Sequence, residues 1–385
     1  MKTLFIAKFF MPVMGGSTRW YEEIYNRYPA GSVIVLTQKT QGCEVYDRKS
    51  RLSIYRMNPW GSVFLHPKWL KKYLAIFGKA IQITLREHIS IIHCDIALPA
   101  GLLGFCLSKI FRIPYVVYAH GEEITQYSRL YPEKNVTPYI YRHADAIIAN
   151  SRFTKDLLLG IGVSFEKINL INPGVDTQLY CPAVKIDDLR HELDLEDKRV
   201  LLTVGRLLER KGHNQVIKVL PGLLKRFPNL VYLIAGTGPE AHALRELSAA
   251  LGVSESVRFL GYVNDDILPS IYNLADIFIM PNLETNSKDI EGFGMVFIEA
   301  NACGKPVIGG RSGGTESSII HEKTGLLVNG NNLDEIFEAV IRLINDKEFA
   351  RMLGENGRER AVSQFGWERC LQKIQQIGKR NPIID

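Results

Sequence analysis

A chain of 385 residues is too long for one ordinary hydrophobic core, so two domains are expected, and its 46% hydrophobic and 23% charged content is that of a soluble globular protein. No apolar stretch approaches the length that spans a bilayer, since the longest, residues 96–107, contains Pro99, Gly101 and Gly104. The six cysteines form no CxxC pair and no Cys/His cluster of zinc spacing, which indicates a reducing compartment and no structural metal.

The net charge of +6 is unevenly distributed along the chain. Residues 1–180 hold 22 Lys and Arg against 13 Asp and Glu, a net charge of +9. Residues 181–385 hold the other 25 Lys and Arg against 28 Asp and Glu, a net charge of −3. A basic first half fits an anionic partner such as a membrane surface, a phosphorylated substrate or a nucleic acid. The basic charge of the first half is equally consistent with a modest excess of lysine that only aids solubility.

Short apolar strands alternate with helices through the first half of the chain. Residues 3–10 predict a strand, residues 11–18 a glycine turn and residues 19–28 a helix, which is the opening of an α/β unit. Gly15 and Gly16 then lie at the carboxyl end of the strand, although a GG pair alone is also typical of a simple tight turn. Further strands are predicted at residues 32–37, 52–57, 89–94, 114–119, 146–149 and 168–171.

Residues 67–88 have the periodicity of an amphipathic helix with lysines among its polar positions. A basic, aromatic-rich helix can lie on an anionic membrane, and it can equally dock on the sheet as an ordinary surface helix. The sequence leaves both interpretations open. The predicted apolar face consists of Trp69, Leu70, Tyr73, Leu74, Phe77 and Ile81.

A second α/β series follows a linker at residues 180–188, with strands predicted at residues 200–204, 230–235, 257–260, 277–280, 306–309 and 325–328. Strands that alternate with helices indicate parallel sheets with helices on both faces. The fold class is therefore α/β. We expect an N-terminal domain over residues 1–180, a C-terminal domain over residues 189–365, and a helix at residues 366–385 that could cross back to the first domain.

The polar candidates lie after predicted strands, and ligands of open parallel sheets bind outside the carboxyl ends of the strands. Arg206 and Lys211 follow one strand closely, and two fixed cations beside a helix start suit a diphosphate leaving group, whose charge grows as a bond breaks. The alternative is an ordinary pair of solvated surface cations. His120 ends another strand, where its ring can act on a substrate hydroxyl or belong to a capped core histidine.

Residues 286–304 carry Glu291 and Glu299 on either side of a glycine-bracketed turn that leads into a helix. The free N–H groups at a helix start form a natural anion site. One glutamate lies before the turn and the other inside the helix, so the pair can reach two parts of one ligand. Glu299 sits in an apolar helix and needs a polar partner, either a ribose diol or a local backbone or lysine group.

These motifs resemble the retaining nucleotide-sugar glycosyltransferases of family 4, and most of all the phosphatidylinositol mannoside mannosyltransferases and bacterial exopolysaccharide glycosyltransferases. The resemblance covers nearly the whole chain and is strongest over residues 200–330. It implies the GT-B fold, with two Rossmann-like domains facing across a cleft. Residues 311–316 depart from the pattern, because many members have a proline before the glutamate. The matching residues are Gly15-Gly16, His120-Gly121, residues 172–176, Gly205-Arg206, Arg210-Lys211-Gly212, residues 291–300, residues 306–308 and Ser312-Gly313-Gly314.

The resemblance also implies a role for each candidate residue. Arg206 and Lys211 would hold the donor diphosphate, and Glu299 would bind the ribose. His120 would contact the sugar and help the transferring centre. The other implied donor contacts are Gly15 and Gly16 at the diphosphate, Glu291 with the backbone of Phe293, Gly294, Met295 and Val296 at the sugar, and Gly236, Tyr262 and Val263 at the base.

The activity implied by the resemblance is retaining transfer of a hexose from a nucleotide diphosphate sugar, UDP-glucose slightly ahead of GDP-mannose, to a lipid-linked or polysaccharide acceptor in cell-envelope or exopolysaccharide synthesis. The expected mechanism is a front-face transfer in which the leaving phosphate accepts the acceptor's proton. No DxD motif is evident, so we expect no metal and no other cofactor, with the Arg/Lys pair in place of a metal.

Two alternatives of other classes remain at this stage. One is a nucleotide-sugar epimerase of similar architecture, against which the Arg/Lys pair and both glutamates argue. The other is a basic protein without enzymatic activity that binds a membrane or nucleic acid, although no nucleic-acid module is recognisable and no nucleic-acid partner is expected. The expected location is cytoplasmic, with peripheral contact at the inner face of the membrane as a further expectation.

Overall fold

The computed structural model describes residues 2–58, 60, 70–125, 136–182, 186–285 and 289–380. The chain divides into two compact units, one of residues 1–173 with 367–385 and the other of residues 174–366. The first unit ends before the expected boundary at residue 180, because Val175 and Tyr180 are buried in the core of the second unit. None of the helices in the described ranges is both long and apolar enough to cross a membrane.

The first unit is built on seven parallel strands in the order β3-β2-β1-β4-β5-β6-β7. The inner strands β1, β2, β4, β5 and β6 are buried along their whole length, which explains why they are predominantly apolar. The strands are Thr3–Ile6, Val33–Gln38, Ser53–Met57, Ile91–Cys94, Tyr115–Ala119, Ala146–Ala149 and Ile168–Leu170 for β1 to β7. The α-helices that lie wholly within the described residues are Gly16–Tyr25, Cys43–Lys49, Leu70–Glu87, Leu102–Phe111, Val136–His143, Arg152–Gly160 and Trp367–Arg380.

The basic helix predicted at residues 67–88 is described from Leu70 to Glu87, and residues 67–69 lie outside the described part of the chain. It packs on the core of the first unit as a docked surface helix. Leu74, which was predicted on the buried face, is 59% exposed, so that assignment is wrong. Tyr73 of the predicted face is buried, and Phe77 and Ile81 pack partly buried on the core, as predicted. The other buried residues of the helix are Ile76, Ala80, Ile83 and Thr84.

The second unit is built on six parallel strands in the order β10-β9-β8-β11-β12-β13. Apolar clusters cover both faces of this sheet, as in the doubly wound folds that the alternating pattern predicts. The strands are Arg199–Val204, Leu230–Ala235, Val257–Gly261, Ile277–Met280, Val307–Gly310 and Leu326–Val328 for β8 to β13. The α-helices are Asp187–Glu192, His213–Arg226, Ala241–Ala250, Leu268–Leu274, Met295–Ala302, Thr315–Ser318, Leu333–Asn345 and Lys347–Gln364.

Both units are therefore Rossmann-like, and the predicted α/β fold class is confirmed. In each sheet the first strand of the series has neighbours on both sides, β1 between β2 and β4 and β8 between β9 and β11. The order of strands reverses at these points, and the loops that follow the central strands are the usual ligand position.

Candidate active site

The candidate site of the second unit lies at the carboxyl edge of its sheet, where β8 and β11 are neighbours. The turn Glu209–Lys211 follows β8, and Glu291 lies in the connection after β11. The backbone N–H of Leu283 donates to the carbonyl of Arg210 over 2.9 Å, which ties the two loops together. This is the reversal point of the strand order, where the fold favours a ligand.

Glu291 is the centre of a buried charge cluster and is only 8% exposed. Its Oε2 accepts hydrogen bonds from the Lys211 ammonium over 2.6 Å, the Arg210 guanidinium over 2.8 Å and the Asn282 amide over 3.2 Å. Arg210 Nε also lies 3.1 Å from Asp289 Oδ1. One carboxylate oxygen thus takes three donors, two of them charged, and its position is fixed from both loops.

The charge state of Glu291 follows from this environment. Burial alone would raise its pKa, but the charges of Lys211 and Arg210 outweigh burial and lower the pKa to about 2. The other oxygen, Oε1, takes no hydrogen bond from any residue that the structure describes. An ionised carboxylate with one saturated and one open oxygen is suited to accept a hydrogen bond from a ligand hydroxyl.

The two predicted diphosphate ligands differ in their surroundings. Arg206 is exposed, and across the described ranges its guanidinium has no hydrogen bond or ion pair. Lys211 is 8% exposed and is paired with Glu291. Arg206 can therefore bind an anion directly, whereas Lys211 has to share its ammonium between Glu291 and any anionic ligand.

The helix Met295–Ala302 begins directly after Gly294, which has φ +86°. A Cβ at Gly294 would lie 2.6 Å from Cδ2 of Phe297, so both the conformation and the space require glycine here. No side chain of a described residue caps this helix. The N–H groups of its first turn, at Met295 and Val296, are therefore available to an anion.

Glu299 lies inside the same helix and is 4% exposed. The hydroxyl of Tyr272 donates to its Oε2 over 2.6 Å. The sequence predicted a ribose diol or a local backbone or lysine partner and missed this tyrosine. Phe293, in the turn before the helix, is buried and packs on Phe365 with ring centroids 5.8 Å apart, so the turn itself is held in place.

Two further loops, after β9 and β10, lie at this edge of the sheet. Gly236, after β9, has φ +146°, and a Cβ there would lie 1.9 Å from the carbonyl oxygen of Gly205, after β8. The N–H of Gly236 donates to the carbonyl of Gly261 over 2.7 Å. Tyr262 and Val263 come directly after Gly261 in the chain. Tyr262 is 63% exposed and Val263 is half-buried. Their contact with a base stays a prediction.

The segment at residues 311–316 keeps its place beside Glu291 without the proline that many family members have. The N–H of Gly314 donates to the carbonyl of Glu291 over 2.7 Å. The hydroxyl of Thr315 donates to the carbonyl of Ser312 over 2.9 Å, which closes the turn before the helix Thr315–Ser318. A threonine hydroxyl thus stabilises the turn that a proline would otherwise restrict.

In the first unit, the glycine turn after β1 leads into the helix at Gly16, earlier than the predicted start at residue 19. Gly15 precedes the helix with extended backbone. The hydroxyl of Thr18 lies 2.6 Å from the carbonyl oxygen of Val13 and 2.9 Å from that of Gly15, so a side chain inside the helix holds the turn. The roles that the resemblance assigns to Gly15 and Gly16 stay predictions.

His120 follows β5 and is fixed at both its backbone and its ring. Its N–H donates to Oε1 of Glu123 over 2.9 Å, and its Nε2 lies 2.5 Å from the hydroxyl of Tyr21. That hydroxyl also lies 3.0 Å from the carbonyl oxygen of Asp95, and when it donates its single hydrogen there, Nε2 of His120 carries the ring proton and donates to the hydroxyl oxygen. Burial lowers the pKa of His120 to about 4. The ring is therefore neutral near pH 7, and its catalytic role stays a prediction.

Asp95, at the end of β4, is a second buried carboxylate and is 6% exposed. Its Oδ2 accepts the backbone N–H of Lys8 over 2.8 Å. Burial raises the pKa of Asp95 to about 7, and the hydrogen bond from Lys8 offsets only part of this effect. Burial also raises the pKa of Glu123, although its carboxylate accepts the hydroxyl of Tyr141 over 2.6 Å.

The structure gathers most of the predicted residues at one edge of the second sheet and the others in the first unit. Residues 286–288 of the predicted motif lie outside the described ranges. The sequence analysis included Arg210 in the matching motif beside Lys211 but gave it no role in the site. Three further groups that touch predicted site residues were missed. Asn282 lies in the same connection as Glu291, whereas Tyr272 and Tyr21 come from more distant parts of the chain.

Comparison with known proteins shows the family of the chain. Residues 14–179 match the family profile described as Glycosyltransferase Family 4, and residues 185–360 match that described as Glycosyl transferases group 1. The GDP-mannose-dependent alpha-(1-6)-phosphatidylinositol monomannoside mannosyltransferase of Mycolicibacterium smegmatis is 31% identical over 368 residues, which cover 94% of each chain. The D-inositol 3-phosphate glycosyltransferase of Corynebacterium glutamicum is 31% identical over 331 residues, 80% of this chain and 77% of that protein.

Solved structures agree on the fold. HepE of Anabaena, in complex with UDP and glucose, is similar with a TM-score of 0.85 and 22% identity over 99% of this chain and 100% of that chain. Sucrose-phosphate synthase from Thermosynechococcus elongatus is similar with a TM-score of 0.78 and 23% identity over 99% of each chain. The predicted GT-B fold class is thereby confirmed.

Proposed function

Because the chain belongs to the family 4 glycosyltransferases, we propose that it transfers a hexose, with retention of configuration, from a nucleotide diphosphate sugar to a lipid-linked or polysaccharide acceptor. The observation that carries the donor part is the ionised Glu291 clustered with Lys211, with the open helix start at Gly294 nearby in the chain. Fixed cations and free N–H groups suit a diphosphate, and an open carboxylate oxygen suits a sugar hydroxyl.

We propose GDP-mannose as the donor. The Mycolicibacterium relative, which matches 94% of the chain, is named as GDP-mannose-dependent. The sequence analysis slightly favoured UDP-glucose. The HepE structure with UDP and glucose does not support that preference, because its identity of 22% is evidence for the fold alone. The epimerase alternative has no support, since the relatives described above are transferases.

The proposed mechanism needs no metal ion. Arg206 and Lys211 would neutralise the charge that grows on the departing diphosphate, and the leaving phosphate would take the proton of the attacking hydroxyl. Glu291 would hold a sugar hydroxyl and would not act as a nucleophile. Intact mass spectrometry of the wild type during turnover tests this point, because an adduct of glycosyl and enzyme that forms in the wild type and is lost in Glu291→Gln would contradict the front-face mechanism.

The test of the donor is release of nucleoside diphosphate from a panel that includes GDP-mannose, UDP-glucose and their sugar epimers. We expect GDP release from GDP-mannose, undiminished by EDTA, and a loss of at least about a hundredfold in Arg206→Ala because one donor to the leaving group is gone. The matched control is Arg226→Ala, a cation at the far end of the helix His213–Arg226. Silence across the panel, together with unchanged nucleotide binding by Arg206→Ala, would overturn the proposal.

The acceptor is proposed to lie at a membrane surface. The Mycolicibacterium relative is named for a phosphatidylinositol monomannoside, and the first half of this chain carries an excess of basic residues. Co-sedimentation with anionic vesicles should weaken steeply as the salt concentration rises, since the attraction is electrostatic. Binding that does not depend on salt, or no binding, would remove the membrane part of the proposal.

A further inference from the structure

Lys211 has two competing partners under the proposed function. Its ammonium lies 2.6 Å from Oε2 of Glu291, and the same ammonium would bind the donor diphosphate. When it turns toward a phosphate, its contact with the carboxylate must loosen. A buried carboxylate that loses its only cation is strongly disfavoured, so a simple pair of Lys211 and Glu291 would resist donor binding.

Arg210 removes this conflict because it holds the same carboxylate oxygen. Its Nη1 lies 2.8 Å from Oε2 of Glu291 and its Nε lies 3.1 Å from Oδ1 of Asp289, so the guanidinium bridges two carboxylates. Its backbone carbonyl is fixed by the N–H of Leu283. A guanidinium forms a rigid fork on carboxylates, whereas a lysine ammonium is a point charge on a flexible stem that can turn.

We propose that Arg210 is the resident cation of Glu291 and that Lys211 is the transferable one. Arg210 keeps Glu291 ionised and oriented while Lys211 turns to the donor diphosphate. Arg210 is therefore a positioning residue that sets nucleotide affinity without touching the nucleotide. The inference rests on the proposed function, because it needs Lys211 to bind a diphosphate.

The experiment is a double-mutant cycle on Arg210 and Glu291, read as the affinity for GDP, and for UDP in parallel, by isothermal titration calorimetry. We expect Arg210→Gln to weaken binding about tenfold, because Lys211 becomes the only cation left for Glu291. Glu291→Gln alone should tighten binding, because Lys211 is released. In the Glu291→Gln background, Arg210→Gln should have no further effect on affinity.

Two control variants separate this coupling from a direct contact. Arg206→Gln should weaken GDP binding equally with and without Glu291→Gln, because Arg206 is exposed and has no described partner in this cluster. Arg210→Lys keeps a cation beside Glu291 and should retain most of the affinity. Thermal unfolding followed by circular dichroism checks that each variant is folded. If Arg210→Gln is unstable, combining it with Asp289→Asn removes the carboxylate left unpaired and keeps the cycle measurable.

The outcomes are distinct. Equal weakening by Arg210→Gln in both Glu291 backgrounds would mean that Arg210 contacts the nucleotide itself, and it would overturn the inference. Unchanged affinity in Arg210→Gln would overturn it as well. If the wild type bound neither GDP nor UDP, the proposed function would fall together with the inference. If the wild type bound nucleotide and the effects of Arg210→Gln and Glu291→Gln on affinity were additive, only the assignment of Arg210 would be overturned.

Discussion

Two carboxylates, one in each unit, are almost equally buried and have opposite pKa shifts. Glu291 is 8% exposed and Asp95 is 6% exposed. Lys211 and Arg210 overcome the effect of burial and lower the pKa of Glu291 to about 2. Burial dominates at Asp95, whose hydrogen bond from the Lys8 backbone carries no full charge, and raises the pKa to about 7. The number of charged donors, and not the depth of burial, separates the two.

The difference bears on what each cluster can bind. The cluster of the second unit keeps its charges at neutral pH, and fixed charges near an exposed Arg206 suit a phosphorylated ligand. Around His120 the groups tend to be neutral, since burial lowers the pKa of the imidazole to about 4 and raises that of Asp95 to about 7. Neutral donors and acceptors suit a hydroxyl group more than an anion.

The largest effect should come from removing the carboxylate that has two cations. Glu291→Leu leaves Lys211 and Arg210 buried without their shared partner, and we expect it to lower the free energy of unfolding of the second unit by about 3–5 kcal/mol. Hydrogen exchange of the peptides that cover β8 and β11, followed by mass spectrometry, measures this loss directly.

The control for that prediction is a carboxylate in a fully exposed ion pair. Glu348 lies 2.5 Å from Arg351 on the surface of the helix Lys347–Gln364. Its replacement by leucine should leave the exchange of β8 and β11 at the wild-type rate, because exposed pairs contribute little. Equal effects of Glu291→Leu and Glu348→Leu would contradict the view that Glu291 is an electrostatic centre of the unit.

The comparison also shows what the sequence could and could not reveal. Alternating strands and helices predicted both sheets, and the loops after strands predicted that Arg206, Lys211 and Glu291 share one edge. The partners of Glu299 and His120 were harder to predict, because they come from other α/β units. Tyr272 is 27 positions from Glu299, and Tyr21 is 99 positions from His120. The position of a residue after a predicted strand indicates which edge of the sheet it occupies. The pairing of its side chain depends on how separate loops pack against each other.

An effect of intermediate size is expected for Asp95→Asn. The pH dependence of stability that Asp95 causes is opposite in sign to that caused by a carboxylate paired with a cation. The pKa of Asp95 in the folded state, about 7, lies above the unfolded value of about 3.9. Between these values the folded state binds the proton more tightly, so the stability of the first unit should fall as pH rises from 4 to 7 and level off above. Asp95→Asn should reduce this decline by about 1–3 kcal/mol.

Tryptophan fluorescence during denaturant unfolding measures this effect in one unit alone. All four tryptophans, Trp20, Trp60, Trp69 and Trp367, belong to the first unit. Burial raises the pKa of Glu123 as well, so some of the decline should remain in Asp95→Asn. Asp156→Asn, which removes an exposed carboxylate of the same unit, is the control. A pH dependence that Asp95→Asn does not alter would show that Asp95 is not the group responsible.

The smallest effect should come from Tyr21→Phe, which removes one hydroxyl and no charge. The hydroxyl links Nε2 of His120 to the carbonyl of Asp95, so its loss leaves two buried polar groups with a poorer partner and should cost about 1 kcal/mol.

Nitrogen-15 NMR of the histidine rings gives a sharper readout than stability. In the wild type we expect His120 in the tautomer protonated at Nε2, and in Tyr21→Phe a mixture of the two neutral tautomers. Tyr139→Phe, at a half-exposed tyrosine of the same unit, should leave the His120 signals unchanged. A wild-type ring protonated at Nδ1 would contradict the assigned network, because the hydroxyl of Tyr21 would then have to donate to the ring and leave the Asp95 carbonyl without that hydrogen.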